Sequence, residues 1–189
     1  MKSTAFVLVV AMMLTTLPLY AVAAVLTSGS CGRDETDNVT WTISTLSDPQ
    51  TINGVADNKR LTIRGQGAMD DFVQTQSGST NAPWQESAWD VTSLIIDEGI
   101  THIGANAFLA ASYFVCNVSL PSTLETIGDY AFCGSLKYVK TLELPQSVTA
   151  IGSYAFYNTG LESVVISGHM SSIPDNAFAS CKSLSSITI

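Results

Sequence analysis

Apolar residues in the second half of the chain fall in a pattern that repeats. Ala107-Phe108, Ala131-Phe132, Ala155-Phe156 and Ala177-Phe178 mark successive copies, with phenylalanines 24, 24 and 22 residues apart. Ile103, Ile127, Ile151 and Ile173 keep the same steps, as do Ile100, Leu124, Val148 and Met170. Before these stand triplets spaced L-x-x-L-x-L: Val91, Leu94, Ile96; Val115, Val118, Leu120; Val139, Leu142, Leu144; Leu161, Val164, Ile166. A fifth triplet, Leu184, Ile187 and Ile189, ends the sequence. Residues two apart on a strand share a face, so each triplet predicts a short strand with Leu94, Ile96 and their counterparts turned inward. Each unit then reads as a strand, a turn and a return segment carrying Ala-Phe. A single unit buries too few side chains to offset the entropy of ordering its backbone. Units must therefore stack, with parallel strands about 4.8 Å apart in one continuous sheet and phenylalanine packed on phenylalanine. The expected fold is a β-rich solenoid.

The Ile-Gly step of each unit carries a further expectation. Gly104, Gly128 and Gly152 are matched in the fourth unit by Pro174, and proline fixes φ near −65°. Negative φ is expected at all four positions, with glycine serving a turn or a close approach.

Upstream, Val39, Trp41 and Ile43 alternate with threonines, and Leu61 and Ile63 alternate with Thr62 and Arg64. Both read as half-buried strands of a small β-hairpin cap, in which Trp41 and Trp84 are large enough to cover the first turn's core. The polar stretch from Ser47 to Lys59 is expected to be a mobile loop. The chain divides into a signal peptide (1–23), a cap region with its hairpin (24–90), and repeats (91–189) of four full units plus the strand of a fifth. An apolar strand at Ile189 is an exposed edge, so the sequence is expected to be a fragment or to have that edge covered by another molecule.

These residues resemble the BspA-like, or treponemal-type, leucine-rich-repeat family. The matching motif is the apolar triplet, then Pro121 or Pro145, then I-G-x-x-A-F, as in Ile127-Gly128-Asp129-Tyr130-Ala131-Phe132. The repeat length falls in the leucine-rich-repeat range. Ser30-Cys31-Gly32, Gly65-Gln66-Gly67-Ala68-Met69-Asp70 and Ala82-Pro83-Trp84 resemble the family's N-terminal cap. The column of the usual leucine-rich-repeat asparagine reads instead Gly99, Thr123, Ser147 and His169. The resemblance implies a right-handed coil with one parallel sheet. It also implies a surface protein that adheres to host or cell-surface proteins, including matrix proteins such as fibronectin and fibrinogen.

Met1-Lys2, the apolar run Ala5–Leu14 and Ala21-Val22-Ala23 form a secretory signal with cleavage before Ala24, which predicts a secreted or cell-surface location. No other segment has the roughly 18 apolar residues of a membrane span. The net charge of −8 argues against nucleic acid, which rewards clustered Lys and Arg. Cys31, Cys116, Cys133 and Cys181 match no zinc spacing. Their even number permits two disulfides, while buried thiols are the preferred reading for Cys133 and Cys181. Asn38 and Asn117 head glycosylation sequons in a eukaryotic host.

No nucleophile elbow, metalloprotease helix or phosphate loop is present. His102 and His169 are expected as exposed loop residues, and the carboxylates at Asp34–Asp37, Asp70-Asp71 and Asp97-Glu98 as solvated surface. No enzyme, cofactor or metal is expected. What remains is the outward face of the strands: Ser93, Ile95, Ser119, Thr141, Glu143, Ser163, Val165, Ser186 and Thr188. A protein-binding or adhesion module using this face is the reading, with a non-catalytic arm of a longer surface protein as the alternative. A secreted hydrolase comes last.

Overall fold

The computed structural model describes residues 22–52, 55–110, 117–167 and 170–189. Among them are twelve strands and no helix, so no helix there is long and apolar enough to cross a membrane. The expected signal segment lies almost wholly outside the described residues, as do Val115, Cys116 and His169.

Three strands build the cap: β1 (Val22–Ser30), β2 (Thr40–Ile52) and β3 (Val55–Arg64). They pair antiparallel, with β2 in the middle. Within the stretch expected as a mobile loop, residues 50–52 are instead paired with residues 55–57. After a register shift beyond Thr45, Gln50 faces Asp57 and Ile52 faces Val55. Ladder hydrogen bonds hold the chain whatever the polarity of its side chains, so composition concealed this extension.

The inner edge of the cap becomes the first rung of the solenoid. β3 pairs in parallel with β5 (Ser93–Ile96), and β5 with β7 (Asn117–Ser119). The same front column continues as β9 (Thr141–Leu144), β11 (Ser163–Ile166) and β12 (Ser186–Thr188), a separate parallel sheet. A third sheet runs along the return segments: β4 (Gly67–Ala68), β6 (Ile100–Ile103), β8 (Thr126–Ile127) and β10 (Ala150–Ile151). The single sheet expected from the triplets is therefore three. The Ile103 and Ile127 columns also lie on extended backbone, whose amides pair between turns.

Inside, aromatic rings stack in file. Trp41 meets Trp84 edge-on at 6.1 Å, and Trp84 stacks on Phe108 at 5.5 Å. Phe108, Phe132, Phe156 and Phe178 follow at 5.1, 5.4 and 5.2 Å. The alanine before each phenylalanine is buried, leaving room for the neighbouring turn. Trp84 thus holds the phenylalanine place of a turn begun by β3 and β4.

Gly104, Gly128 and Gly152 have negative φ, as expected, and each touches the turn before it. A Cβ on Gly128 would lie 2.5 Å from the Ala105 nitrogen. Left-handed backbone falls instead at Asn106, Tyr130, Tyr154 and Asn176, just before each alanine. There it closes a turn from the Ala107 N–H to the Gly104 carbonyl, repeated at Ala131, Ala155 and Ala177. This geometry sends amides along the solenoid: Asn106, Phe108 and Ala110 donate to the carbonyls of Asp129, Ala131 and Cys133. Pro174 has no N–H to match that of Gly152, which donates to the Ile127 carbonyl. The return sheet ends at β10, and Ile173 is exposed where Ile103, Ile127 and Ile151 are buried.

Hydroxyls serve where the usual asparagine column is lacking. Thr123 Oγ1 accepts from the Gly99 N–H and donates to the Ile100 carbonyl, both at 2.9 Å. Ser147 Oγ donates to the Leu124 carbonyl at 2.6 Å.

Candidate functional site

The front strands set the candidate side chains in rows across the ladder. Thr62, Ile95 and Ser119 share one row. Thr141, Ser163 and Ser186 share another, with Glu143, Val165 and Thr188 beside it. Ser119, Thr141, Glu143, Ser186 and Thr188 are exposed, while Ile95, Ser163 and Val165 are half-buried. Ser163 Oγ donates to Thr141 Oγ1 at 3.1 Å. Ser93 departs from the expectation and is fully buried. Its short side chain stands in a row between the half-buried Arg60 and the exposed Asn117. Ser93 therefore leaves the candidate face.

The face is not continuous. Between β7 and β9 lies a cleft of about 420 Å³, lined by Glu98, Val118, Ser119, Leu120, Leu142 and Glu143 among others. Sequence reasoning placed Val118 and Leu120 in the core and Glu98 on solvated surface. The triplet containing Val118 and Leu120 looks like every other, so nothing in it signalled an opening. Glu98 accepts from the Ser122 N–H at 2.9 Å and from Ser122 Oγ at 3.0 Å. The Ser122 backbone bond above all holds its carboxyl below the usual range. A larger cleft of about 600 Å³ sits on the 75–87 segment, lined by serines, threonines and amides. Several of these already bond one another, as Gln85 Nε2 does to Ser79 Oγ at 2.6 Å.

Other chemistry-bearing groups serve structure. His102 is a half-buried residue of β6 rather than an exposed loop histidine. Its Nδ1 lies 2.6 Å from Thr126 Oγ1 and its Nε2 lies 3.4 Å from Asp71 Oδ1. Burial, aided by Arg33, lowers its pKa against the pull of Asp71. Asp71 accepts from the Ala105 N–H at 2.7 Å. Partial burial alone would raise its pKa, but that bond, His102 and Arg33 bring it below the usual range. Asp34 caps Thr36 at 2.8 Å, and Asp97 meets Arg64 Nε at 2.6 Å. Among the described residues no three His, Cys, Asp or Glu side chains converge as a metal site would require.

Cys31, Cys133 and Cys181 are free thiols. Burial, with the Asp70 charge, pushes Cys31 up to about 12, and burial raises Cys133 as well. Cys181 Sγ donates to the Phe156 carbonyl at 3.0 Å.

The sequence profile described as "BspA type Leucine rich repeat region" matches residues 86–189 in six copies. A comparison with curated proteins finds no match. Among solved structures, a leucine-rich repeat protein from Eubacterium ventriosum is 25% identical with a TM-score of 0.51, over 85% of this chain and 44% of that one. The present chain thus spans less than half of that protein's length. The leucine-rich repeat protein TpLRR of T. pallidum is 19% identical with a TM-score of 0.42, over 68% of this chain and 74% of that one.

Proposed function

Because this chain belongs to the BspA-type leucine-rich-repeat family, we propose that it is a secreted or cell-surface module that binds proteins through its front strands. The observation that carries this reading is the face itself. Ser119, Thr141, Ser163, Ser186 and Thr188 present short, uncharged groups across successive turns, with Val165 as an apolar contact among them. A rigid surface of this kind binds by area and pattern. The family's general role in protein–protein interaction supports it, and adhesion to host or matrix proteins is the finer form of the proposal. No catalytic role is assigned to any residue.

The test is surface plasmon resonance of the exported chain over immobilised fibronectin, fibrinogen and intact cell surfaces. Saturable binding that Val165→Arg abolishes, with the far-UV spectrum unchanged, is the expected result. Absence of saturable binding to every one of these surfaces would overturn the adhesive reading. A recognition arm within a longer surface protein is the second reading, favoured by the partial coverage of the E. ventriosum relative. The genomic sequence downstream of the Ile189 codon tests it.

A further inference from the structure

The opening in the binding face has a chemistry of its own. β7 is paired with β5 and β9 with β11, and among the described residues no ladder joins β7 to β9. Behind the opening the solenoid is closed. β6, β8 and β10 pair without a break, and the Phe108, Phe132 and Phe156 rings stack at 5.1 and 5.4 Å. Only the front is parted.

The floor of the opening is apolar. Val118 and Leu120 are half-buried, whereas Leu94, Ile96, Leu142, Leu144, Val164 and Ile166, their counterparts in β5, β9 and β11, are buried. The rim is acidic. Glu98 and Glu143 line it, and no lysine or arginine does. Glu98 accepts from the Ser122 N–H and Oγ, and the chain as a whole carries −8.

Strand edges without partners recruit extended chain. An extended peptide alternates its side chains between two faces, which matches an apolar floor beneath a charged rim. We propose that the slot between β7 and β9 recognises an extended basic segment of a partner protein. The segment's main chain bonds the free edges of β7 and β9. Its apolar side chains rest on Val118 and Leu120, and its lysine or arginine side chains meet Glu98 and Glu143. This rests on the protein-binding reading above and narrows it to one place and one ligand chemistry.

The probe is a fluorescein-labelled peptide of alternating lysine and valine, with a glutamate–valine peptide as its counterpart. Anisotropy follows binding, and hydrogen exchange with mass spectrometry follows the amides of residues 117–120 and 141–144. The lysine peptide is expected to bind saturably, more weakly at high salt, and to slow exchange in both segments. The glutamate peptide is expected not to bind. Glu143→Lys, an exposed change that leaves the fold intact, is expected to weaken the lysine peptide about tenfold or more.

Three results would overturn the slot: equal binding of the two peptides, an unchanged affinity in Glu143→Lys, or β7 and β9 amides as protected in the free chain as those of β11. Binding of an immobilised protein that is lost in Val165→Arg but kept in Glu143→Lys would overturn the slot alone and leave the face reading standing.

Discussion

Trp84 stacks on Phe108 with ring planes 26° apart, and its indole N–H donates to the Ala107 carbonyl at 3.2 Å. The cap therefore ends in the same aromatic file that the repeats continue. In a solenoid each turn is held by its neighbours, so removing this ring exposes the first repeat turn. Trp84→Ala is expected to lower the unfolding free energy by about 3–5 kcal/mol. Phe178→Ala, at the half-buried far end of the file, is expected to cost distinctly less. Urea denaturation followed by circular dichroism measures both, and equal losses would show that the file is not capped at Trp84.

Gly128 and Gly134 should respond to alanine for different reasons. At Gly128 the backbone is ordinary, but the new methyl meets the Ala105 nitrogen at 2.5 Å. The turns must part, at about 1–3 kcal/mol. At Gly134 φ is +73° and the nearest atom is 3.6 Å away, so alanine incurs only the left-handed conformation, about 1–2 kcal/mol. Ala110, Asn158 and Ser180 accept that conformation at the same place in other turns, which puts Gly134→Ala at the low end. Calorimetry should find the larger drop in melting temperature for Gly128→Ala.

The thiols should label in a fixed order. Cys31, buried and pushed up to about 12, is expected to stay unlabelled by a maleimide at mildly alkaline pH while the chain is folded. Cys133, half-buried and less strongly opposed, should react slowly, and both should react fully in urea. Peptide mapping by mass spectrometry reads the order. Rapid native labelling of Cys31 would contradict its burial.

Acid should weaken the fold in two steps. The pKa of His102 is lowered on folding, so the unfolded chain binds the proton first as pH falls through about 6.5. Stability then declines with acid from that point. Asp71 is also lowered. Its contribution is intact above the unfolded carboxylate range and is lost as pH falls through its folded value. Urea midpoints across a pH series should show both declines, and His102→Gln should remove the first and leave the second reduced but present, since the Ala105 N–H and Arg33 still hold Asp71 down.

Much of this was legible because side-chain type and place coincide. The Phe108, Phe132 and Phe156 column, the inward triplets and the cap strands at Trp41 and Leu61 all repeat or alternate in plain view. Trp84 stands 24 residues before Phe108, a spacing that carried its role, but a tryptophan hides in a column of phenylalanines. The left-handed positions were illegible because Asn106 and Asn176 share them with Tyr130 and Tyr154. The two tyrosines stack on one another at 4.9 Å, but nothing in their type signals the turn. On the candidate face, alternation gave the direction of Ser93 but not its burial beside Arg60. The slot escaped notice for a related reason: whether two strands pair depends on how turns sit in space, not on which residues they carry.

The registers of the front strands and the aromatic file have a consequence for how such a protein changes over time. Ser93 to Phe108, Asn117 to Phe132, Thr141 to Phe156 and Ser163 to Phe178 all span the same interval. The two-residue difference between turns falls wholly in the passage from phenylalanine to the next strand. One corner of each coil therefore absorbs insertions and deletions, while the rest is bound to its neighbours residue for residue. A lineage can duplicate whole turns, or lengthen that corner into a new surface loop, without rewriting the interior.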